Sequence, residues 1–69
     1  MKVRVRVKEV AEQKGMSQTK LSHRSEVAYN TVRKLFQNPY AEVTLTTLAR
    51  LATALGVHVC ELIEEVPED

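Results

Sequence analysis

The chain has 69 residues, of which 43% are hydrophobic and 28% charged, and its formal net charge is +1. This length allows one domain over residues 1–69, the composition excludes a disordered chain, and no apolar run approaches the roughly 18 residues of a membrane span. The first residues alternate valine with basic side chains, so they lack the continuous apolar core of a secretory signal. We therefore expect a cytoplasmic, nucleoid-associated location and no membrane partner.

Cysteine and histidine usage predicts neither a disulfide nor a metal centre. Cys60 is the only cysteine of the sequence, and with His23 and His58 it supplies too few ligands, at the wrong spacing, for a closed zinc site. We expect no metal and no cofactor, and we expect Cys60 to be a buried or half-buried apolar residue. No nucleophile, base and orienting group occur at a meaningful spacing, so the sequence does not predict an enzyme.

Charge is distributed unevenly along the chain. Residues 14–34 contain five lysines and arginines and a single acid, Glu26, whereas the last nine residues contain five acids and no base. A polyanion would therefore bind the first half of the chain rather than its tail.

The first predicted element is a strand, because residues 2–6 alternate basic and apolar side chains. From residue 7 the apolar spacing changes to i, i+3 and i+4, which predicts a first helix over 7–14 that ends at Gly15. Ser17 is a suitable N-cap for a second helix over 18–24.

A break at 25–27 precedes a third helix over 28–37. Its predicted apolar face is formed by Val32, Leu35 and Phe36. Asn38 and Pro39 mark a loop, and Thr44 caps a fourth helix that Gly56 closes. The apolar spacing of this fourth helix is carried by Leu48, Leu51, Ala52 and Leu55.

A short fifth helix over 59–63 and a terminal strand over 63–66 complete the predicted fold. It is mainly α, with five helices and a small two-stranded sheet formed by 2–6 and 63–66. These strands could pair within one chain or between two chains, because a sheet edge is a template for pairing. Either arrangement would set basic side chains opposite acidic ones, namely Arg4 and Arg6 against Glu64 and Glu65.

Two short helices separated by about three residues, here within 18–37, are typical of a helix-turn-helix unit. In that unit the second helix enters the major groove of DNA. The third helix is suited to this role because its polar face combines hydrogen-bonding and basic side chains, namely Tyr29, Asn30, Arg33, Lys34 and Gln37.

Residues 15–35, GMSQTKLSHRSEVAYNTVRKL, resemble the phage-repressor type (Cro and CI, or XRE family) of helix-turn-helix domain, and 47–57, TLARLATALGV, resemble its fourth helix. The resemblance covers about residues 7–63. It depends on a combination of positions, namely Gln18, Leu21, Val27, Asn30, Thr31, Val32, Leu35, Leu55, Gly56 and Val57. It implies the five-helix repressor fold and sequence-specific binding of double-stranded DNA, most simply as a transcriptional repressor.

Four positions depart from the family's usual residues. Ser22 replaces a small residue, most often alanine, Glu26 replaces a glycine in the turn, and Ala28 and His58 replace serine or threonine caps. Glycine suits the turn because one residue there needs a positive φ, which costs other residues about 1 kcal/mol or more. Either the turn is strained or its geometry differs slightly.

The resemblance also implies roles for individual residues. Base edges would be contacted by Ala28, Tyr29, Asn30 and Lys34, since asparagine pairs bidentately with adenine and lysine reaches guanine O6 and N7. Backbone contacts, which position the domain without specifying sequence, would come from Ser17, Gln18, Thr31, Arg33, Gln37 and Asn38.

We expect a homodimer, because two-fold symmetry would set two recognition helices about 34 Å apart on successive major grooves. No small-molecule ligand is expected, so repression by occupancy is favoured over a metabolite switch. The alternative is an antitoxin or protein-interaction module that binds a partner protein through its acidic C-terminal segment.

Overall fold

A computed structural model describes residues 2–67 of the chain; Glu68 and Asp69 of the acidic segment lie outside the described residues. The elements in chain order are β1 (Lys2–Val5), α1 (Val7–Gln13), α2 (Gln18–Ser25), α3 (Tyr29–Gln37), α4 (Leu45–Leu55), a 3₁₀ turn (Val59–Leu62) and β2 (Ile63–Val66). The fold is therefore mainly helical with a small sheet, as the sequence predicts.

Side-chain caps begin two of the helices at the predicted residues. The Ser17 hydroxyl accepts a hydrogen bond from the Lys20 N–H at 3.2 Å, and Thr44 accepts one from the Thr47 N–H at 3.2 Å. At the other end of α4, Gly56 has a φ of 73°, the left-handed conformation that lets its N–H reach back to the last turn.

The predicted fifth helix over 59–63 is wrong. Within residues 2–67 the protein has four α-helices, and this segment is a single 3₁₀ turn, Val59–Leu62. The Glu61 N–H donates to the His58 carbonyl, and the Glu61 carboxylate accepts from the His58 N–H, each at 3.0 Å. Ile63 is already extended as the first residue of β2, so no room is left for an α-helical turn.

The two strands pair antiparallel within the chain, with Arg4 opposite Glu64 and Val3 opposite Glu65. The predicted pairing of Arg4 with Glu64 is confirmed. The predicted position of Arg6 opposite the acidic strand is wrong: Arg6 follows the end of β1, and its Nε donates to the Glu9 carboxylate at 3.3 Å. The Arg6 N–H continues the ladder by donating to the Leu62 carbonyl at 2.6 Å.

The hydrophobic core lies between the helices and takes side chains from both ends of the chain. Its members are Val5, Val7, Val10, Ala11, Leu21, Val27, Val32, Leu35, Leu48, Leu51, Ala52, Leu55 and Leu62. Phe36 is half-buried and packs against this core. Cys60 is exposed, so its expected burial is wrong; the inward position of the 3₁₀ turn is taken by Leu62. Among the described helices, none combines the length and apolar character needed to cross a membrane.

Candidate nucleic-acid interface

Helices α2 and α3 pack against each other and are joined by residues 26–28. Leu21 of α2 and Val32 of α3 are fully buried, and Leu35 is nearly so. Because α3 is anchored along this apolar face, its opposite face is presented to solvent in one defined orientation.

The four residues predicted to contact bases are all exposed. Ala28 is the N-cap residue of α3, Tyr29 begins the helix, and Asn30 and Lys34 follow on its outer face. Asn30 and Lys34 are four positions apart, so they lie one above the other on the helix surface. The structure thus brings an amide and an ammonium group together as one polar stripe on α3.

Residues predicted to contact the DNA backbone lie before, between and after the two residues of that stripe in the sequence. Ser17 caps α2 and Gln18 is its first residue, half-buried, while Arg33 and Gln37 are exposed on α3 and Thr31 is half-buried. Asn38 accepts a hydrogen bond from the Tyr40 N–H through Oδ1 at 3.1 Å. This bond stabilises the turn at the start of the loop.

Of the two alternatives that the sequence leaves open for the turn, the structure shows the strained one. Glu26 has φ 58° and ψ 28°, the left-handed conformation, and it is the non-glycine residue with positive φ among residues 2–67. The structure therefore keeps the turn geometry that favours glycine and places a side chain on it.

Sequence reasoning missed the hydrogen bonds that hold this turn. The Ser22 hydroxyl donates to the Val27 carbonyl at 2.6 Å, and Ser25 is buried and bonded on both sides. The presence of Ser22 where the family usually has alanine was the signal that could have pointed to these bonds.

A second basic feature also escaped prediction, since it involves α4. Arg24 and Arg50 line an open groove beside the turn, together with Thr46 and Thr53. Arg50 lies outside the helix-turn-helix unit, so its position near Arg24 follows only from the packing of α2 against α4.

The N-terminal basic residues are engaged within the protein. Arg4 bonds to both Glu9 and Glu64, and Arg6 bonds to Glu9. The hydrogen bond from Arg4 holds the pKa of Glu9 below its usual range; desolvation opposes this shift, and Arg6 adds to it. The same bonds, to Glu64 first and then Glu9, raise the pKa of Arg4. Arg4 and Arg6 are therefore occupied by contacts within the fold, whereas exposed basic side chains lie on α2 and α3 and also at Lys8 of α1 and Arg50 of α4.

Among the described residues, no group of three or more histidine, cysteine, aspartate and glutamate side chains is placed to hold a metal ion.

Two short packed helices, joined by a three-residue turn and exposing the polar face of the second, define a helix-turn-helix protein. Residues 6–68 match the family model of the Cro/C1-type HTH DNA-binding domain, and the chain belongs to this family. Membership makes it a DNA-binding domain with a role in regulating transcription. No curated protein matches the sequence.

Proposed function

We propose that the protein is a transcriptional repressor that binds a specific double-stranded DNA sequence with α3 in the major groove. The observation that carries this proposal is the stripe formed by Asn30 and Lys34, exposed on a helix whose opposite face is anchored in the core. Binding at an operator would block transcription by occupancy, without a catalytic step or a small-molecule ligand.

In this proposal α3 reads bases and α2 holds a phosphate. Asn30 would pair with adenine N6 and N7, and Lys34 would donate to guanine O6 and N7. The N-terminus of α2 presents unpaired backbone N–H groups next to Gln18, a suitable environment for a phosphate oxygen. Arg33 would contact a phosphate next to the groove, which positions α3 without specifying sequence.

Selection of bound sites from random duplexes tests the base contacts. Asn30→Ala and Lys34→Ala should each lose preference at a separate base position, whereas Lys8→Ala, an exposed lysine on α1, should select the same sites as the parent. A salt titration of the parent should show affinity falling steeply as salt rises. Identical site preference in all three variants would refute the assignment of Asn30 and Lys34.

We propose further that the protein acts as a homodimer through an apolar groove beyond the C-terminal end of α3. The large exposed hydrophobic residues among 2–67 are Val3, Tyr29, Tyr40 and Leu45, and all but Tyr29 line this groove. Leu48 and Ile63 form its floor. Solvent exposure of such a cluster is unfavourable and is relieved by burial against a partner.

A second copy of the chain is the favoured occupant of the groove, because the rim of the groove carries both a basic and an acidic side chain. Lys2 lies at one side, with Nζ 5.4 Å from the ring centroid of Tyr40, and Glu42 lines the groove. A two-fold contact can set such a rim against itself with opposite charges paired. A nucleic acid would instead require a uniformly basic surface.

Sedimentation equilibrium without DNA tests the dimer. Leu45 is 74% exposed, so Leu45→Ala should leave the fold intact while shifting the protein towards monomer. Tyr29→Ala is the matched control, because Tyr29 is exposed on α3 away from the groove. A parent protein that is monomeric at micromolar concentration, with and without operator DNA, would rule out the dimer.

The acidic segment supports the antitoxin or interaction-module alternative less well. Glu61 accepts a hydrogen bond from the His58 N–H, and Glu64 is bonded to Arg4. These two carboxylates already stabilise the fold, which leaves Glu65 as the exposed acid of β2 for a partner protein.

A further inference from the structure

Both backbone polar groups of Val27 are held by serine hydroxyls of the preceding helix. The Ser22 hydroxyl donates to the Val27 carbonyl at 2.6 Å, and the Val27 N–H donates to Ser25 Oγ at 3.3 Å. The Ser25 hydroxyl in turn donates to the Leu21 carbonyl at 2.6 Å. The Val27 side chain is also buried in the core, so its N–H, its carbonyl and its side chain are all held in place immediately before α3.

No side-chain cap fixes the start of α3 independently. Ala28 is the N-cap residue and makes no side-chain hydrogen bond, although its carbonyl accepts the first helical bonds from Thr31 and Val32. The residue before Val27, Glu26, is in the unfavourable left-handed conformation. The hydrogen bonds between the two serines and Val27 are therefore the polar contacts that set the direction in which α3 leaves the turn.

Ser25 is suited to a fixed role because it is 5% exposed and is the buried polar residue of the described core. Its hydroxyl donates to the Leu21 carbonyl at 2.6 Å, with the Ser22 carbonyl farther away at 3.5 Å, and accepts from the Val27 N–H, so a change of the Ser25 rotamer would break these bonds. Ser22 is half-buried one turn earlier and approaches the same residue from the carbonyl side. The two hydroxyls act on opposite ends of one residue.

We propose that Ser22 and Ser25 are positioning residues that aim α3 and thereby determine the sequence preference of the protein. This inference depends on the proposed function, since the aim of α3 matters through Asn30 and Lys34. Hydrogen bonds to base edges require placement within about 0.5 Å, whereas contacts to phosphates tolerate more displacement. Loss of a serine bond should consequently reduce discrimination between sequences more than it reduces general DNA affinity.

The first test compares the ratio of affinities for the selected site and for a random duplex at one salt concentration. Ser22→Ala should lower this ratio by about tenfold, comparable to the loss of one good base contact. The salt dependence of random-duplex binding should stay the same. Ser22→Thr retains the hydroxyl and should retain the ratio, whereas an unchanged ratio in Ser22→Ala would overturn the proposal.

A double variant separates an effect on the orientation of α3 from an effect on the stability of the fold. Ser22→Ala should also lower the melting temperature, because the Val27 carbonyl loses its hydrogen-bond donor. Glu26→Gly relieves the left-handed strain, so Ser22→Ala/Glu26→Gly should recover that loss. Glycine supplies no hydrogen bond to the Val27 carbonyl, so the affinity ratio should remain low. Recovery of the ratio together with the melting temperature would show that stability alone mattered, and would refute the positioning role.

A measurement without DNA keeps this inference separate from the proposed function. Residual dipolar couplings of the amides in α2 and α3 report the angle between the two helices. Ser22→Ala should change that angle relative to the parent and to Ser22→Thr, and an identical angle in all three proteins would overturn the inference. If the angle changes but the parent shows no salt-dependent DNA binding, the proposed function fails while the geometric role of Ser22 stands.

Discussion

Nη1 of Arg4 on β1 lies 2.6 Å from Oε1 of Glu64 on β2, and the other terminal nitrogen of the same guanidinium contacts Glu9 on α1. One side chain therefore connects both strands of the sheet to the first helix. Arg6 approaches Glu9 from the other side, so a single carboxylate accepts from two arginines. Arg4 and Arg6 consequently stabilise the fold through these contacts.

This cluster should make stability depend on pH. The folded-state pKa of Glu9 is lowered, so its contribution is present at neutral pH and is lost as pH falls below the ordinary glutamate pKa and through the lowered one. Glu9→Gln should lower the melting temperature at neutral pH and flatten its decline in acid. Glu12→Gln, an exposed glutamate on the same helix, is the control. Parallel melting curves for the parent and Glu9→Gln across this range would contradict the prediction.

Removal of a phosphate contact should affect all DNA sequences alike. Arg33 is exposed on α3 beside the stripe of Asn30 and Lys34 and is proposed to contact a phosphate, so Arg33→Ala should weaken the selected site and random duplexes by similar factors. The slope of log affinity against log salt should become shallower by about one. Fluorescence anisotropy over a salt series measures both quantities. A change in site preference without a change in slope would instead assign Arg33 to a base.

The sequence predicts the four α-helices from their apolar spacing, and for α2 and α4 the caps at Ser17, Thr44 and Gly56 agree with that spacing. The predicted fifth helix relies on the apolar residues Leu62 and Ile63, and it is wrong because Leu62 ends the 3₁₀ turn while Ile63 begins an extended strand. Tertiary pairing outweighs local pattern there.

The candidate site likewise has features that the sequence predicts and features that it does not. The exposure of Asn30 and Lys34 follows from helical periodicity, which places them opposite Val32 and Leu35. The bonds of Ser22 and Ser25 to Val27 do not follow from it, because they depend on the path of the backbone through the turn.

Truncation to alanine should destabilise the core residue of α4 far more than the groove residue of the same helix. Leu51 is fully buried, so Leu51→Ala should lower the free energy of unfolding by about 2–5 kcal/mol. Leu45→Ala at 74% exposure should change monomer stability by less than about 0.5 kcal/mol. Chemical denaturation at a protein concentration low enough for the chain to be monomeric compares the two variants. Similar losses for both variants would mean that Leu45 is buried in the folded monomer in solution.

Helices α2 and α4 each end at a residue in the left-handed conformation. Introducing glycine at the first of these positions and removing it from the second should change the stability of the fold in opposite directions. Glu26 at the end of α2 has φ 58°, and Gly56 at the end of α4 has φ 73°. Glu26→Gly should raise the free energy of unfolding by about 1 kcal/mol, because glycine adopts this conformation without the steric cost of a Cβ.

Gly56→Ala should lower the free energy of unfolding by about the same 1 kcal/mol. A Cβ at Gly56 would meet no atom within 4 Å, so the loss would arise from backbone conformation rather than from a clash. Urea denaturation of both variants measures the pair of changes. A loss of stability in Glu26→Gly would mean that the Glu26 side chain makes a stabilising contact that outweighs its strain, and that the turn before α3 depends on it.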